Sequence, residues 1–194
     1  MSRNDKRGVM GTVCRVNIAN DKGFTLAEIL MVIAIIGILL GIGFFAFQGM
    51  MDRYNVEKQM KEMYVDLMSA RIRAMQRNRI HFVTFTSTQY TVYEDTSPAP
   101  DGEGTLTVGA DTQILQKSLM SKFPITLSPN TTQWTTTLSP LLFNAKGFAT
   151  LVTGETTTGT VRVTVEANGE YDCIAISEIR NTLGKWDGTQ CKAK

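Results

Sequence analysis

The sequence predicts an α+β fold: one long N-terminal helix, apolar in its first half, whose second half packs on an antiparallel β-sheet domain. Three observations carry this. Residues 29–47 are nineteen positions without a charge, about the length that crosses a hydrocarbon core of ~30 Å. From Val56 onward apolar residues recur every three or four positions, the period of an amphipathic helix. From Ile80 onward β-branched and aromatic residues alternate with polar ones in short runs broken by Gly, Pro, Asn and Asp, as half-buried strands do.

Composition fits this class. The 194 residues are 43% hydrophobic and 20% charged, enough for one core plus an appendage. The formal charge of +2 is unevenly held: residues 1–23 carry Arg3, Lys6, Arg7, Arg15 and Lys22 against Asp5 and Asp21, while the remainder has 15 bases and 16 acids. No global charge bias points to nucleic acid. A basic flank before an apolar span predicts a cytoplasmic N-terminus and an outward C-terminal portion.

The opening segment, 1–23, has neither periodicity nor an apolar core and is excluded from the fold. Its Gly11-Thr12-Val13-Cys14 superficially resembles a lipidation site, but no hydrophobic stretch precedes the cysteine. Next comes Lys22-Gly23-Phe24-Thr25-Leu26-Ala27-Glu28, with one carboxylate just inside the apolar helix. An isolated acid at that depth in lipid costs about 2.5–3.5 kcal/mol, which makes Glu28 a candidate functional residue. A removable secretory signal is the rival reading. It would have a shorter apolar region and a small-x-small cleavage site, and Ala46-Phe47-Gln48-Gly49 is a poor one. Gly37, Gly41 and Gly43 interrupt the helix at about 0.8–1 kcal/mol each relative to Ala. They either allow close helix packing or mark a place where the helix melts.

After Gly49, Val56, Met60, Met63, Leu67, Ala70 and Ala74 form the apolar face, with Asp52, Arg53, Glu57, Lys58, Lys61 and Glu62 between them. A helix from Phe24 to about Arg79 would be about 80 Å long at 1.5 Å per residue. Phe44, Phe45, Phe47, Tyr54 and Tyr64 along it suit packing and a membrane interface. Strands are expected at His81–Thr86, Gln89–Glu94, Gln113–Gln116, Pro124–Leu127, Leu141–Asn144, Phe148–Thr153, Thr160–Glu166 and Tyr171–Ser177. The connections between them carry turn chemistry: two prolines and two glycines in 94–104, a threonine-rich 154–159, and Asn168-Gly169 as a hairpin signal. Successive antiparallel hairpins follow. The five threonines of 131–137 around Trp134 read as a loop or an edge strand.

Cys173 and Cys191 would both face an oxidising space in this orientation, and we pair them. The bridge would close a loop of about 18 residues, worth about 3 kcal/mol in the chain-entropy model. Two partly buried free thiols are the alternative.

Gly23-Phe24-Thr25-Leu26-Ala27-Glu28, the basic leader before it and the apolar run after it resemble the class III signal segment of type IV pilins. The order of long helix, antiparallel sheet and late cysteine pair is also similar to type IV pilins and type II secretion pseudopilins. Within that superfamily, Phe143 to Cys191 resembles the GspH/FimT minor pilins and pseudopilins, although Leu183-Gly184-Lys185 stands where that group often has Gly-Arg. The resemblance implies the type IV pilin fold. Its parts would be a leader over 1–23, a membrane or filament-core helix over 24–49, the amphipathic second half over 50–79 and a sheet domain over 80–194. It further implies that prepilin peptidase cuts between Gly23 and Phe24 and methylates the Phe24 amine, and that Glu28 either neutralises the Phe24 amine of a neighbouring subunit or helps draw subunits into the growing filament. The chain would then be a structural subunit of a pilus or a type II secretion pseudopilus. Its implied partners are other pilin or pseudopilin subunits, the peptidase, an inner-membrane assembly platform and the membrane. It would sit in a bacterial inner membrane with its N-terminus cytoplasmic, then in a periplasmic or extracellular filament.

Two basic clusters have a second reading. Arg71, Arg73, Arg77 and Arg79 form either a stripe for nucleic acid or an acidic filament neighbour, or cations that complement the helix dipole, and the dipole reading is preferred. Arg180, Lys185, Lys192 and Lys194 with Trp186 resemble a nucleic-acid patch, so a DNA-binding minor pilin is the alternative function. A membrane-anchored domain that enters no filament is a third. Glu94, Asp95, Asp101, Glu103 and Asp111 surround a Pro/Gly loop that either holds calcium or is simply solvated, and solvation is preferred. His81, the only histidine, has no companion ligand in sequence. No nucleophile elbow, P-loop or plausible acid–base pair occurs. The expectation is a protein without cofactor or catalysis.

Overall fold

The computed structural model describes residues 23–100, 102–128, 140–151, 159–165 and 169–194. The leader with Cys14, Asp101, Thr131–Thr137 with Trp134, Thr153, most of the 154–159 turn, Glu166 and Asn168 lie outside the described residues. The chain divides into two units, Met1–Phe44 and Phe45–Lys194.

In the first unit, helix α1 (Leu26–Arg77) begins. Thr25 is its N-cap: the Glu28 amide donates to Thr25 Oγ1 at 3.2 Å and to the Thr25 carbonyl at 3.1 Å. This satisfies an N–H that the first turn leaves without a helical partner. The side chains from Phe24 to Phe44 are exposed.

In the second unit α1 continues and ends at Arg77, before Asn78, whose φ of 51° puts it in the left-handed region. There the Arg79 amide donates to the Ala74 carbonyl at 3.2 Å, the six-to-one bond of a Schellman cap. The expected end near Arg79 is therefore two residues long.

Among the described residues ten strands follow: β1 (His81–Thr86), β2 (Gln89–Glu94), β3 (Thr112–Ser118), β4 (Ile125–Ser128), β5 (Leu141–Phe143), β6 (Ala149–Leu151), β7 (Gly159–Val163), β8 (Cys173–Ile176), β9 (Asn181–Trp186) and β10 (Cys191–Ala193). They form two five-stranded antiparallel sheets, in the orders β3-β2-β1-β5-β6 and β10-β9-β8-β7-β4. One sheet of successive hairpins thus becomes two, because β4 leaves its predecessor and pairs with β7, Ile125 opposite Val163. Strands β9 and β10 were not among the expected strands.

The helix face read from the sequence is the core. Val56, Met60, Met63, Leu67, Ala70 and Ala74 are buried and join one hydrophobic cluster with both sheets, through Val83, Phe85 and Phe143 on one side and Ile125, Val161 and Ile174 on the other. Burying such side chains contributes about 1.5–3 kcal/mol each. Polar groups fix the docking. Buried Gln59 donates to the Phe123 carbonyl at 2.9 Å and accepts from the Met120 amide at 3.0 Å, holding the β3–β4 connection on the helix. Asp66 accepts from the Tyr90 hydroxyl and from Lys117, and burial together with this bond pushes the Tyr90 phenol well up.

Candidate processing and assembly site

The first turn of α1 and the residue before it carry the candidate chemistry. Gly23 is exposed, and a Cβ there would meet nothing within 4 Å. The local fold therefore makes no demand for glycine at that position. Phe24 is 77% exposed. Glu28 lies in the first helical turn, where the dipole favours an anion. Among the described residues no hydrogen bond or ion pair reaches its carboxylate. The Thr25-x-x-Glu28 spacing is that of a capping box, of which only the Thr25 half is formed, a cap that the sequence reading missed although the pattern is present in it.

Behind this turn the helix has an 18-residue window of mean hydropathy 2.9, none of it buried. Leu26, Met31, Ile38, Leu40 and Ile42 are all more than 60% exposed. Soluble surfaces rarely carry apolar patches beyond a few hundred Å² unless a partner or a membrane covers them. Gly37, Gly41 and Gly43 have open space where a Cβ would stand, which permits close approach of another helix.

The other expected sites are placed differently. Cys173 and Cys191 form a disulfide, with Cα atoms 5.9 Å apart. It ties buried Cys173 on β8 to the short strand β10, across Gly184 of β9. Around it the basic patch is largely neutralised. Lys185 pairs with Asp172 at 2.9 Å, Lys192 with Asp187 at 3.0 Å and Lys194 with Glu170 at 3.3 Å. The Trp186 ring is covered by Arg162 at 4.8 Å. Arg180 sits apart, on the β8–β9 turn. The acids lie far from the lysines in sequence or among uncharged residues, which is why the sequence shows a patch that the fold does not gather. Asp187 is held well below the usual carboxylate range by the Gln190 and Thr189 amides and by Lys192.

The four helix arginines are neither a stripe nor, except for Arg77 in the last turn, dipole partners. Arg71 is buried. It donates to the Ile179 carbonyl at 2.7 Å, the Ser177 carbonyl at 3.3 Å and Asn181 Oδ1 at 3.1 Å, and lies 5.1 Å from the Phe143 ring centre. Arg77 and Arg79 pair with buried Glu94 at 2.6 and 3.8 Å. Arg73 alone of the four is left exposed without a partner among the described residues.

The acidic loop is corrected as well. Glu94, Asp95 and Asp111 are buried rather than solvated. Asp95 accepts from the Glu103 and Gly104 amides. Asp111 accepts from Thr96, Ser97 and Thr107 amides at 2.7–3.0 Å. Gly102, at φ 82°, has no room for a Cβ against the Asp95 carboxylate. The carboxylates bind the loop's own backbone, and burial pushes Asp95 upward. Asp101 lies outside the described residues. Among the described residues no group of three His, Cys, Asp or Glu is placed to hold a metal ion. His81 is buried at the start of β1, with Nδ1 3.3 Å from the Arg79 carbonyl and Nε2 without a partner among the described residues.

Two family models match. The prokaryotic N-terminal methylation motif covers residues 18–44, spanning Gly23, Phe24 and Glu28. The model described as type II transport protein GspH covers residues 59–179, from the helix's second half to the β8–β9 turn. Searches of curated proteins and of solved structures returned no match.

Proposed function

The chain belongs to the type II transport protein GspH family, and from that premise we propose that it is matured by removal of its leader and polymerises through its apolar helix. The helix and antiparallel sheets are the type IV pilin fold, and the family is one of minor pilin and pseudopilin subunits rather than enzymes. Prepilin peptidase cuts between Gly23 and Phe24 and methylates the new Phe24 amine. The precursor waits in the inner membrane with its N-terminus cytoplasmic and the sheet unit outside. An assembly platform then moves it into a filament with other pilin-type subunits.

The observation that carries this reading is the uncovered apolar segment headed by a lone carboxylate. Lipid covers such a helix before assembly, and neighbouring helices cover it afterwards. Glu28 and a neighbour's Phe24 amine are each costly in that medium, and pairing relieves both. The amine exists only after cleavage, so maturation is the switch.

The test is Glu28→Ala in the full chain, followed by cleavage and by recovery in the filament fraction. We expect normal cleavage and a loss of incorporation of about tenfold or more, the effect of ~1.4 kcal/mol. Wild-type incorporation of Glu28→Ala overturns the role of the carboxylate.

A further inference from the structure

The face of the second sheet turned away from the core carries a cation that the fold leaves unanswered. Along β7 the side chains of Val161 and Val163 enter the core, so Arg162 between them stands on the opposite face, as strand alternation requires. Its cross-strand neighbours are Thr126 on β4 and Cys173 on β8, and neither is charged. Beyond Cys173 lies Gly184 on β9, which has no side chain to block the reach from Arg162 to Trp186. The guanidinium carbon sits 4.8 Å from the centre of the indole ring. Among the described residues no hydrogen bond or ion pair reaches this guanidinium, and its Nε is buried without an acceptor.

The disulfide frames this stack. Cys173 lies opposite Arg162 and Cys191 lies opposite Trp186, so the bridge between them ties the strand beside the arginine to the strand beside the indole. A cleft of about 250 Å³ opens here, lined in part by Arg162, Val165, Asp172, Lys185, Trp186 and Gly188. Its other charges cancel. Lys185 pairs with Asp172 at 2.9 Å and donates to the Gly169 carbonyl at 2.7 Å. The second Asp172 oxygen accepts from the Trp186 amide at 2.7 Å. The cleft is left with the single positive charge of Arg162, and a half-buried guanidinium without acceptors carries a desolvation cost that a bound anion relieves.

The chemistry of the cleft selects its ligand. The indole occupies one face of the guanidinium and leaves the N–H edge, a fork that matches two oxygens of one oxyanion. One uncompensated positive charge suits one negative charge, and the Asp172 carboxylate opposes a second. A carboxylate is therefore favoured over a phosphate dianion or a phosphodiester strand. The cleft is larger than two oxygens fill, and Val165, 44% exposed, and Trp186 give it apolar walls. We infer that this cleft binds a compact organic monocarboxylate, a flat acid of the benzoate kind, with Arg162 receiving the carboxylate over the Trp186 ring. The site lies wholly in the second unit and does not depend on the assembly reading above.

The experiment is equilibrium dialysis of radiolabelled benzoate against the full-length, oxidised chain in an uncharged detergent, with dialysis against detergent alone subtracted. The expected result is saturable binding of about one benzoate per chain, with a Kd below about 1 mM. Benzamide, the neutral counterpart, should compete about tenfold or more weakly than unlabelled benzoate. Arg162→Gln should weaken binding by about tenfold or more at an unchanged urea midpoint, whereas Arg73→Gln, at an exposed arginine outside the cleft, should leave it as it is. Absence of saturable binding, equal competition by benzamide, unchanged affinity in Arg162→Gln or an equal loss in Arg73→Gln overturns the inference. Displacement of benzoate by inorganic phosphate or by a single-stranded oligonucleotide at lower concentration than unlabelled benzoate overturns it as well. Should Arg162→Gln prove unstable, the comparison of benzamide with benzoate on the unaltered chain decides.

Discussion

At the scale of single residues, the fold depends on a few buried polar groups whose partners come from distant parts of the chain. Arg71 is the clearest. Its three acceptors lie more than a hundred positions away, on Ser177, Ile179 and Asn181. Arg71→Ala leaves two part-buried carbonyls and the buried Asn181 amide oxygen without their donor and should cost about 3 kcal/mol, read as a shifted urea midpoint of the full chain in detergent. An unchanged midpoint would contradict the role given to it. His81 gives a pH signature. Burial holds its pKa below the ordinary value near 6.5, with smaller opposing effects from the Arg79 carbonyl and Glu94. The unfolded chain therefore binds the proton first. This contribution to stability is complete above about pH 6.5 and is lost as pH falls below it. Because the chain has no other histidine, melting temperatures should fall from pH 6.5 towards 5, and His81→Leu should flatten that segment. Asp95, pushed upward by burial, acts with the opposite sign and at lower pH. Neither residue's role was legible in the sequence. A run of arginines looks like a stripe until the fold turns one inward, and an acidic loop looks solvated until its carboxylates are found on backbone amides.

At the scale of elements, α1 was the most legible part, because a three-to-four spacing over Val56 to Ala74 has one solution: each of those side chains is buried. Strands β1 and β2 kept their expected limits to the residue, since both are short β-branched and aromatic runs meeting at the Ser87-Thr88 turn. Strand β9 was missed for a physical reason. Asn181-Thr182-Leu183-Gly184-Lys185-Trp186 carries little alternation, and its glycine reads as a breaker. In the fold Gly184 is required by close approach. A Cβ there would run into the Lys192 carbonyl of β10 and stand 3.0 Å from Cys191 Sγ. Gly184→Ala should push β10 away from β9 and cost about 1–3 kcal/mol in the oxidised full chain. Equal or greater stability in the alanine variant would show that β10 has room the structure does not give it.

At the scale of the whole molecule, the sequence reading recovered the α+β class, the antiparallel pairing and the order of helix before strands. It did not show that the strands divide between two sheets, because the departure of β4 to β7 is a long-range choice that no local pattern encodes. The apolar half of α1 was legible for the opposite reason: nothing in the fold competes for it, and its side chains stay uncovered. The GspH match ends at residue 179 and so covers neither β9 nor β10. The methylation-motif match falls on the segment that the globular unit leaves unused. Peptide and intact-mass measurement of the mature protein from native membranes and filaments bears most directly on the central claim. The account predicts a chain that begins at Phe24 and carries one added methyl group on its amine. A mature chain that keeps Met1 to Gly23, or begins at any other residue, would contradict it.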